Sequence, residues 1–456
     1  MLQQAINHYH SLLDRDMAHS SWEQLRTAMH ERNLFFGERP LSTVLRPRLI
    51  TADQYRMLEQ GCALVGGAMR TLATGMLSDA ALRADLMLTA QEQLLIDMHP
   101  GYAESSAHSR MDTFLTVDGS SLQFVEYNGE SPAAIAYEDK LSEAFREIDV
   151  MQAFAHRYRI AALPSRQYLL ATLLDTWRES GRAGAPTIAI LDWSGLPTHS
   201  EFLMFQSYFH EHGIESCICT PDELLYEHGH LFARQADGKL FRIDLVFKRI
   251  LTSELLMHYG EQALEHPVVQ AYAAGAICMV NSFRAKLLHK KSIFALLTDE
   301  ANQQLFTAEQ QAAIARHVPW TRVVRVGETR YQGERIDLLD FARRNRDRLL
   351  LKPNDEYGGK GIVIGWEVDA NAWEQALHEA MQSPSVVQER VTIAYEDYPA
   401  WLNGELHIGQ RLVDSDPFMF GNAVKGCLSR LSTVTLLNVT AGGGSTVPVF
   451  VIEPEA

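Results

Sequence analysis

The segment from residue 349 to residue 366 constrains the fold more than any other part of this chain. An apolar run, Leu349–Lys352, ends in a lysine, a glycine-rich stretch, Asn354–Gly361, follows, and a second apolar run, Ile362–Trp366, closes the segment. Two apolar runs joined by glycine-rich turn residues predict an antiparallel hairpin. A lysine at the end of a buried strand can neutralise phosphate oxygens, and glycines let backbone N–H groups approach them. An ordinary solvent-exposed hairpin is the alternative.

A second hairpin is predicted upstream, where alternating residues on both sides of Asp118–Ser121 form two strands. Glu126 and Asn128 are two residues apart on the second strand, so their side chains project from one face. Asp112 lies on the first strand and can reach the same face. These oxygen-bearing side chains, with Glu356 from the glycine-rich stretch, are of the kind that binds Mg²⁺. A polar strand face in contact with water explains the hairpin residues equally well.

Three further segments carry weaker signals. Ser385–Val391 is an apolar strand that runs into polar residues, which suits either contact with an adenine ring or an edge strand. Residues 282–300 are expected to be helical and contain Lys286, Lys290 and Lys291, for which a solvated helix face is the alternative. The consecutive glycines at 442–444 favour a loop that approaches a ligand closely.

The wider pattern predicts an α+β fold. Residues 1–100 read as helices, with an amphipathic run at Tyr55–Met76. Strands and helices alternate between Thr187 and Lys248, which predicts an α/β lobe with a parallel sheet. The region 401–452 has the pattern of strands broken by glycine-rich loops. A length of 456 residues is enough for about three domains or lobes.

Charge and composition exclude some function classes. The 41 Lys and Arg residues against 57 Asp and Glu residues give a net charge of −16, which argues against nonspecific nucleic-acid binding. The apolar run near 271–280 is too short to cross a bilayer, and the N-terminus lacks a secretory signal. Five cysteines without a paired framework are expected to be reduced thiols, so a cytoplasmic location with no membrane contact is the expectation.

Taken together and in order, these motifs resemble the circularly permuted ATP-grasp ligases, the group that includes eukaryotic glutathione synthetase and glutathionylspermidine synthetase. The acidic strand at 126–128 precedes the Lys352 strand, which is the permuted order. The resemblance implies an ATP-grasp fold with an inserted α/β substrate lobe and an N-terminal helical region. The implied divisions are 1–105 (helical region), 106–160 (metal-binding hairpin and helix), 161–280 (substrate lobe), 281–400 (nucleotide-binding lobe) and 401–456 (remainder of the core).

The resemblance also implies roles for individual residues. Those expected to hold magnesium are Asp112, Glu126, Asn128 and Glu356. Those expected to bind ATP are Lys291 or its neighbour Lys290, Lys352, the loop glycines Gly358, Gly359 and Gly361, and the adenine-contacting Gln388, Glu389 and Val391. Those expected to hold a substrate carboxylate are Arg110, Ser131, Arg430 and, as a weaker candidate, Arg249, whose neighbour Lys248 is the alternative. Gly442–Gly444 match a second loop that covers the substrate.

The implied activity is an ATP-dependent carboxylate–amine ligation. Two Mg²⁺ ions and ATP are the expected cofactors, and an amino acid, a peptide or a similar anionic compound is the expected acid. A small-molecule kinase that uses the same Mg-ATP site, or a non-catalytic ATP-binding protein, are the alternatives. Related enzymes are often dimers, so a homodimer is a further expectation. The middle lobe, 160–280, matches the family only in outline, and the acid and the amine are therefore not named by the sequence.

Overall fold

A computed structural model describes residues 1–434 and 444–454 of the chain. The α-helices of this part are α1 (Leu2–Ser11), α2 (Arg15–Glu31), α3 (Ala52–Ser78), α4 (Ala80–Ala84), α5 (Ala90–Asp97), α6 (Ile135–Glu147), α7 (Asp149–Ala155), α8 (Arg166–Glu179), α9 (His199–Glu211), α10 (Thr252–Tyr259), α11 (Pro267–Ala273), α12 (Lys286–His289), α13 (Ile293–Thr298), α14 (Ala308–His317), α15 (Leu338–Arg344) and α16 (Ala370–Gln382).

The strands are β1 (Phe35–Phe36), β2 (Arg39–Pro40), β3 (Arg48–Thr51), β4 (His108–Leu115), β5 (Leu122–Asn128), β6 (Tyr158–Ala162), β7 (Ile188–Leu191), β8 (Ser216–Cys219), β9 (Leu224–Glu227), β10 (His230–Arg234), β11 (Leu240–Ile243), β12 (Leu245–Lys248), β13 (Cys278–Val280), β14 (Thr321–Val323), β15 (Glu328–Tyr331), β16 (Glu334–Asp337), β17 (Leu349–Pro353), β18 (Val363–Ile364), β19 (Ser385–Glu389), β20 (Ala394–Leu402), β21 (Glu405–Val413), β22 (Asp416–Phe420), β23 (Ala423–Ser432) and β24 (Ser445–Pro454). The mixture confirms the expected α+β class.

The largest sheet is built from strands that are far apart in the sequence. Its antiparallel order is β20-β21-β23-β22-β4-β5, and β24 extends from β23 to pair with β3 and β6. The hairpin β4–β5 confirms the turn predicted near Asp118. Its partner β22 pairs with β4 through Phe418 and Arg110, so the C-terminal strands complete the face that carries the predicted acidic residues.

Helix α3 packs against this hairpin and confirms the predicted amphipathic run. A capping box at Thr51 and Gln54 satisfies backbone N–H groups at its first turn. Its apolar face, which includes Met69, lies in the same buried cluster as Phe124 of β5. A Cβ atom at Gly61 would stand 3.1 Å from the Phe124 ring, so glycine allows the helix to approach the strand closely.

The middle lobe contains the predicted parallel sheet. Its strands follow the order β13-β12-β7-β8, and each neighbouring pair is parallel. The register places Lys248 of β12 opposite Leu191 of β7, so the residues after these two strands, Arg249 and Asp192, meet at the carboxyl edge of the sheet. Ligands commonly bind at this edge in open α/β sheets.

A third sheet, of order β14-β19-β17-β18, carries Lys352. The hairpin β17–β18 confirms the prediction, although its return strand spans only Val363–Ile364. The helix expected over 282–300 is interrupted between α12 and α13. Asn354 accounts for the break, because its backbone and side-chain oxygens accept the backbone N–H groups of Lys291 and Ser292 at 2.9 and 2.8 Å.

None of the helices in the described ranges combines the length and the apolar character needed to cross a bilayer. Of the glycine triplet predicted to cover a substrate, Gly442 and Gly443 lie outside the described residues. The domain boundaries, the ATP-grasp assignment and the circular permutation stay predictions.

Candidate functional site

A cavity lies between the hairpin β4–β5 and the sheet that contains β17 and β19. We name it the inter-sheet cavity. One end is largely apolar and is lined by Phe114, Val125, Leu350, Ile362, Ile364, Trp366, Val391 and Ile393. The other end is polar and is lined by Arg110, Asp112, Glu126, Asn128, Lys352, Asp414 and Arg430. A flat apolar ligand with a charged tail fits such a division.

Buried ion pairs organise the polar end around Asp112. Arg110 donates to Asp112 through Nε at 2.8 Å, and Arg430 donates to it through Nη2 at 2.7 Å. Although burial favours the neutral acid, the two guanidinium groups hold the pKa of Asp112 at about 2. Asn128 completes the group, since its Nδ2 donates to Asp112 Oδ1 at 2.9 Å and leaves its amide oxygen as a candidate ligand.

Two further carboxylates behind Arg430 were not identified from the sequence. Asp414 accepts from Arg430 Nε at 2.7 Å, and Asp416 Oδ2 lies 2.9 Å from the same nitrogen. Burial raises the pKa of both acids, and the Arg430 charge opposes the rise. These residues lie about 300 positions from their partners on β4, so no local pattern could have found them.

Glu126 faces Asp112 in the hairpin register and pairs with Lys291. Lys291 Nζ lies 2.8 Å from Glu126 Oε1 and also donates to the carbonyl oxygen of Glu356. Burial alone would raise the pKa of Glu126, but the charges of Lys291 and Lys352 bring it below its ordinary value. The structure thus brings Glu126 and Lys291, both predicted site residues, into one ion pair, in which the Glu126 side chain is 25% exposed.

Lys352 enters the polar end from the opposite sheet. Its Nζ donates to the carbonyl oxygen of Val125 at 3.0 Å. Burial lowers the pKa of Lys352 to about 8, and the nearby carboxylate of Glu126 limits the shift. A lysine ammonium with so few protein partners is well suited to contact an anion.

Lys290 takes a different place from its neighbour Lys291. Its Nζ lies 2.9 Å from Glu92 Oε2 and 3.4 Å from Asp355 Oδ2, and the residue does not line the inter-sheet cavity. Of the two candidate lysines, Lys291 is the one that contacts the predicted magnesium residue Glu126, and neither lysine lines the inter-sheet cavity.

A buried charge network below the glycine-rich loop was also missed. Lys286 Nζ contacts Asp355 at 2.6 Å and Glu130 at 3.3 Å, and Lys248 contacts Glu130 at 3.1 Å. Lys248 is therefore paired with Glu130. Of the two alternative carboxylate-binding residues, Lys248 and Arg249, it is Arg249 that lines a cavity. The network holds the start of the loop, at Asp355, against the middle lobe.

The three predicted phosphate-binding glycines of the loop lie in two different places. Gly358 and Gly359 line the inter-sheet cavity, whereas Gly361 turns beside Pro353, whose Cγ would lie 2.7 Å from an added Cβ. The carboxylate of Glu356 lies 3.3 Å from Lys360, and Glu356 does not line the inter-sheet cavity. Tyr357 donates to Glu254 of α10 at 3.1 Å, so the loop contacts the middle lobe.

The predicted adenine-contacting residues Gln388, Glu389 and Val391 all line the inter-sheet cavity. Gln388 is held by Thr321, to which its Nε2 donates at 3.0 Å. Glu389 accepts hydrogen bonds from Tyr331 and Arg348 at 2.7 and 2.9 Å. These contacts fix the end of β19 at the apolar side of the cavity.

A second cavity, which we name the lobe cavity, opens toward the middle lobe. Its walls include Ser131, Asp192, Arg249, Glu254, His289 and Tyr357. It shares Arg110, Asn128, Gly358 and Arg430 with the inter-sheet cavity. A molecule in one cavity can therefore meet a molecule in the other at these four residues.

Comparisons with known proteins agree on fold and suggest a class of function. No family model matches the chain. It is 23% identical over 429 residues to a Frankia alni protein named "Putative glutamate--cysteine ligase 2-3". It is also 23% identical over 439 residues to a Frankia casuarinae protein named "Putative glutamate--cysteine ligase 2-2". Each match covers 90% of this chain and 47% of the relative, so the chain spans about half the length of these curated proteins.

The fold is shared with a solved protein. A glutathione synthetase-like effector from Globodera pallida, in its apo form, superposes with a TM-score of 0.60 at 13% identity. The superposition covers 96% of this chain and 98% of that protein. The architecture is thus glutathione synthetase-like.

The polar end has the chemistry of a magnesium site that is completed by a ligand. Within residues 1–434 and 444–454, no cluster of three or more His, Cys, Asp or Glu side chains is arranged to hold a metal ion. Asp112, Glu126 and the amide oxygen of Asn128 nevertheless offer two carboxylates and a neutral oxygen. Mg²⁺ is commonly bound by one or two protein carboxylates together with phosphate oxygens and water. The residues present therefore fit Mg²⁺ that arrives with a nucleotide.

Proposed function

We propose that this chain is an ATP-dependent ligase that joins the carboxylate of an amino acid, a peptide or a similar compound to an amine. The observation that carries the proposal is the meeting of two cavities at Arg110, Asn128, Gly358 and Arg430. One cavity has an apolar slot and a lysine-bearing polar end, as a nucleoside triphosphate requires. The lobe cavity adjoins the polar end of the inter-sheet cavity, where the terminal phosphate would lie. The names of the curated relatives favour the same class of reaction.

Nucleotide binding would use both sheets. The apolar end would take the adenine beside Gln388 and Val391, while Lys352, which lines the cavity, and Lys291, which pairs with Glu126 at its edge, would contact phosphate oxygens. Gly358 and Gly359, both with positive φ angles, would bring backbone N–H groups over the phosphates. Asp112, Glu126 and Asn128 would hold Mg²⁺, which would supply positive charge to offset the negative charge that develops during phosphoryl transfer.

Arg110 and Arg430 would orient the substrate carboxylate toward the γ-phosphate. A carboxylate oxygen attacks the γ-phosphorus, the bond to ADP breaks, and an acyl phosphate forms. The amine nitrogen then attacks the acyl carbon, phosphate leaves with the bonding electrons, and the nitrogen loses a proton to give the amide. The protein contributes orientation, charge stabilisation and exclusion of water from the acyl phosphate.

Phosphate release from Mg-ATP, measured beside mass spectra of the products, tests the proposal. A panel of amino acids, short peptides and polyamines supplies the acids and amines. We expect release that requires both an acid and an amine and yields a condensed product. Lys352→Met should abolish the release, whereas Lys239→Met, an exposed lysine in the hairpin of the middle lobe, should not.

Two results would contradict the ligase. A stable phosphoester with no inorganic phosphate would indicate a kinase that uses the same site. Nucleotide binding without turnover across the whole panel would indicate a non-catalytic ATP-binding protein. Homodimer formation and the absence of nucleic-acid binding stay predictions.

A further inference from the structure

Part of the lobe cavity is lined by apolar side chains, which we name the apolar wall. They are Phe36, Leu41, Tyr137, Leu196, Pro197 and Leu428. The cavity has a volume of about 620 Å³, within the size range of sites that enclose most of a small organic molecule. Apolar surface in contact with water gains free energy when a second apolar surface covers it, so the wall favours a ligand with an apolar body.

Hydrogen bonds between distant segments hold the β1–β2 hairpin at the cavity. The backbone N–H of Gly37 donates to the carbonyl oxygen of Pro197 at 3.2 Å. The Tyr137 hydroxyl donates to the carbonyl oxygen of Phe35 at 3.1 Å. Phe36 lies between these two contacts in the sequence and lines the cavity. The N-terminal region, the loop after β7 and the start of α6 therefore contribute to one apolar surface.

The apolar wall adjoins the arginines proposed to orient the substrate carboxylate. Leu428 and Arg430 are two residues apart on β23, so their side chains project from one face, and both line the cavity. Arg110 donates through Nη1 to the carbonyl oxygen of Ala133 at 3.1 Å, and Ala133 also lines the cavity. A carboxylate held by the two arginines would thus have the apolar wall beside the rest of its molecule.

We propose that the acid used by this protein carries a bulky apolar group, either aromatic or branched aliphatic, that packs against the apolar wall. The inference rests on the proposed ligase and specifies the class of its acid. Such an acid buries its apolar group and the wall together while its carboxylate reaches Arg110 and Arg430. A small polar acid would leave the wall in contact with water.

Binding of matched acids tests the inference without any turnover. Calorimetric titration of the full chain would compare 3-phenylpropionate with propionate, N-acetyl-L-phenylalanine with N-acetylglycine, and L-leucine with glycine, since each second compound lacks the apolar group. We expect the apolar acid of at least one pair to bind about tenfold or more tightly, as burial of one large apolar side chain predicts. Phenethylamine and ethylamine, which lack a carboxylate, should show no such preference.

Two variants alter the apolar wall at partly exposed positions, where the free protein should tolerate a polar side chain. Phe36→Asn and Leu196→Asn should each reduce the preference, and the double variant should remove most of it. Leu240→Asn is the matched control, because this leucine of β11 is 48% exposed and does not line the cavity. It should keep the full preference, and thermal unfolding should show that all of these variants are folded.

Four outcomes would overturn the inference: no binding of any acid, equal binding of both acids in every pair, an undiminished preference in the double variant, or the same preference between the two amines. Failure of the ligase itself is distinguishable, because it would appear as missing acid- and amine-dependent phosphate release while the preference for apolar acids persisted.

Discussion

Lys291 Nζ lies 2.8 Å from Glu126 Oε1, so a phosphate-type lysine and a magnesium-type carboxylate neutralise each other in the structure. A triphosphate that enters with Mg²⁺ would separate this pair, because it gives the lysine an anion and the carboxylate a cation. The ion pair thereby holds both side chains in place until the nucleotide arrives.

Glu126→Gln should reduce the efficiency of phosphate release by at least about a hundredfold and raise the Mg²⁺ concentration needed for half-maximal rate, because a charged oxygen ligand is lost. The measurement is the initial rate of phosphate release over a Mg²⁺ series. Glu405→Gln, on an exposed edge of β21, is a suitable control. An unchanged Mg²⁺ dependence in Glu126→Gln would remove Glu126 from the metal site.

The pKa of Lys352, lowered to about 8 by burial, predicts a pH dependence of nucleotide binding. The ammonium is charged below this pH and neutral above it, so kcat/KM for ATP should fall as the pH rises through about 8. Lys352→Arg should flatten this fall, because a guanidinium stays charged throughout the range. The same decline in wild type and Lys352→Arg would assign the titration to another group.

The raised pKa of Asp192 predicts that the stability of the folded protein depends on pH. Burial raises its pKa to about 6, from an ordinary value of 3.8. The folded state therefore binds a proton more tightly than the unfolded state, and the stabilisation this confers is complete below about pH 4 and lost as the pH rises through 6. Asp192→Asn should stabilise the protein at pH 7.5, by on the order of 2 kcal/mol, and have little effect near pH 4.

Thermal unfolding at the two pH values measures this difference. If Asp192→Asn lowers the midpoint at pH 7.5, the carboxylate is stabilising and has a cationic partner in the free protein.

Lys286 should be essential for folding rather than for contact with the nucleotide. It lies 0% exposed between Glu130 and Asp355, and its removal leaves the buried carboxylate of Glu130 and the partly exposed carboxylate of Asp355 with fewer cations. Lys286→Met should destabilise the protein by about 3–5 kcal/mol. Adding Glu130→Gln should restore part of the loss, and Lys140→Met, a partly exposed lysine of α6, provides the control in thermal unfolding. A stable Lys286→Met protein would show that the network contributes little.

Tyr357 should couple closure of the glycine-rich loop to occupancy of the lobe cavity. Its hydroxyl bonds to Glu254, a contact worth about 1 kcal/mol. Tyr357→Phe should therefore expose the acyl phosphate to water and raise the ratio of phosphate released to amide formed above one. Comparing the two products in the same reaction measures this ratio. A ratio of one in the variant would show that the hydroxyl does not help to exclude water.

The sequence determined the local elements and the residue types of the site. Period-two alternation and turn residues predicted the hairpin that carries Asp112, Glu126 and Asn128, and glycine spacing predicted the loop after Lys352, because these patterns depend on neighbours along the chain. The parallel sheet of the middle lobe followed from strands alternating with helices. The assignment of function to those residues stays a prediction.

Tertiary structure decided what each charged group contacts. Asn354 breaks the expected helix and directs Lys291 to Glu126, whereas its neighbour Lys290 turns to Glu92. Asp414 and Asp416 reach Arg430 and the β4 strand only because β22 and β23 pair beside that strand. Sequence periodicity reports which face of an element is buried. It contains no information on which distant charge lies opposite, since that depends on how separate sheets pack.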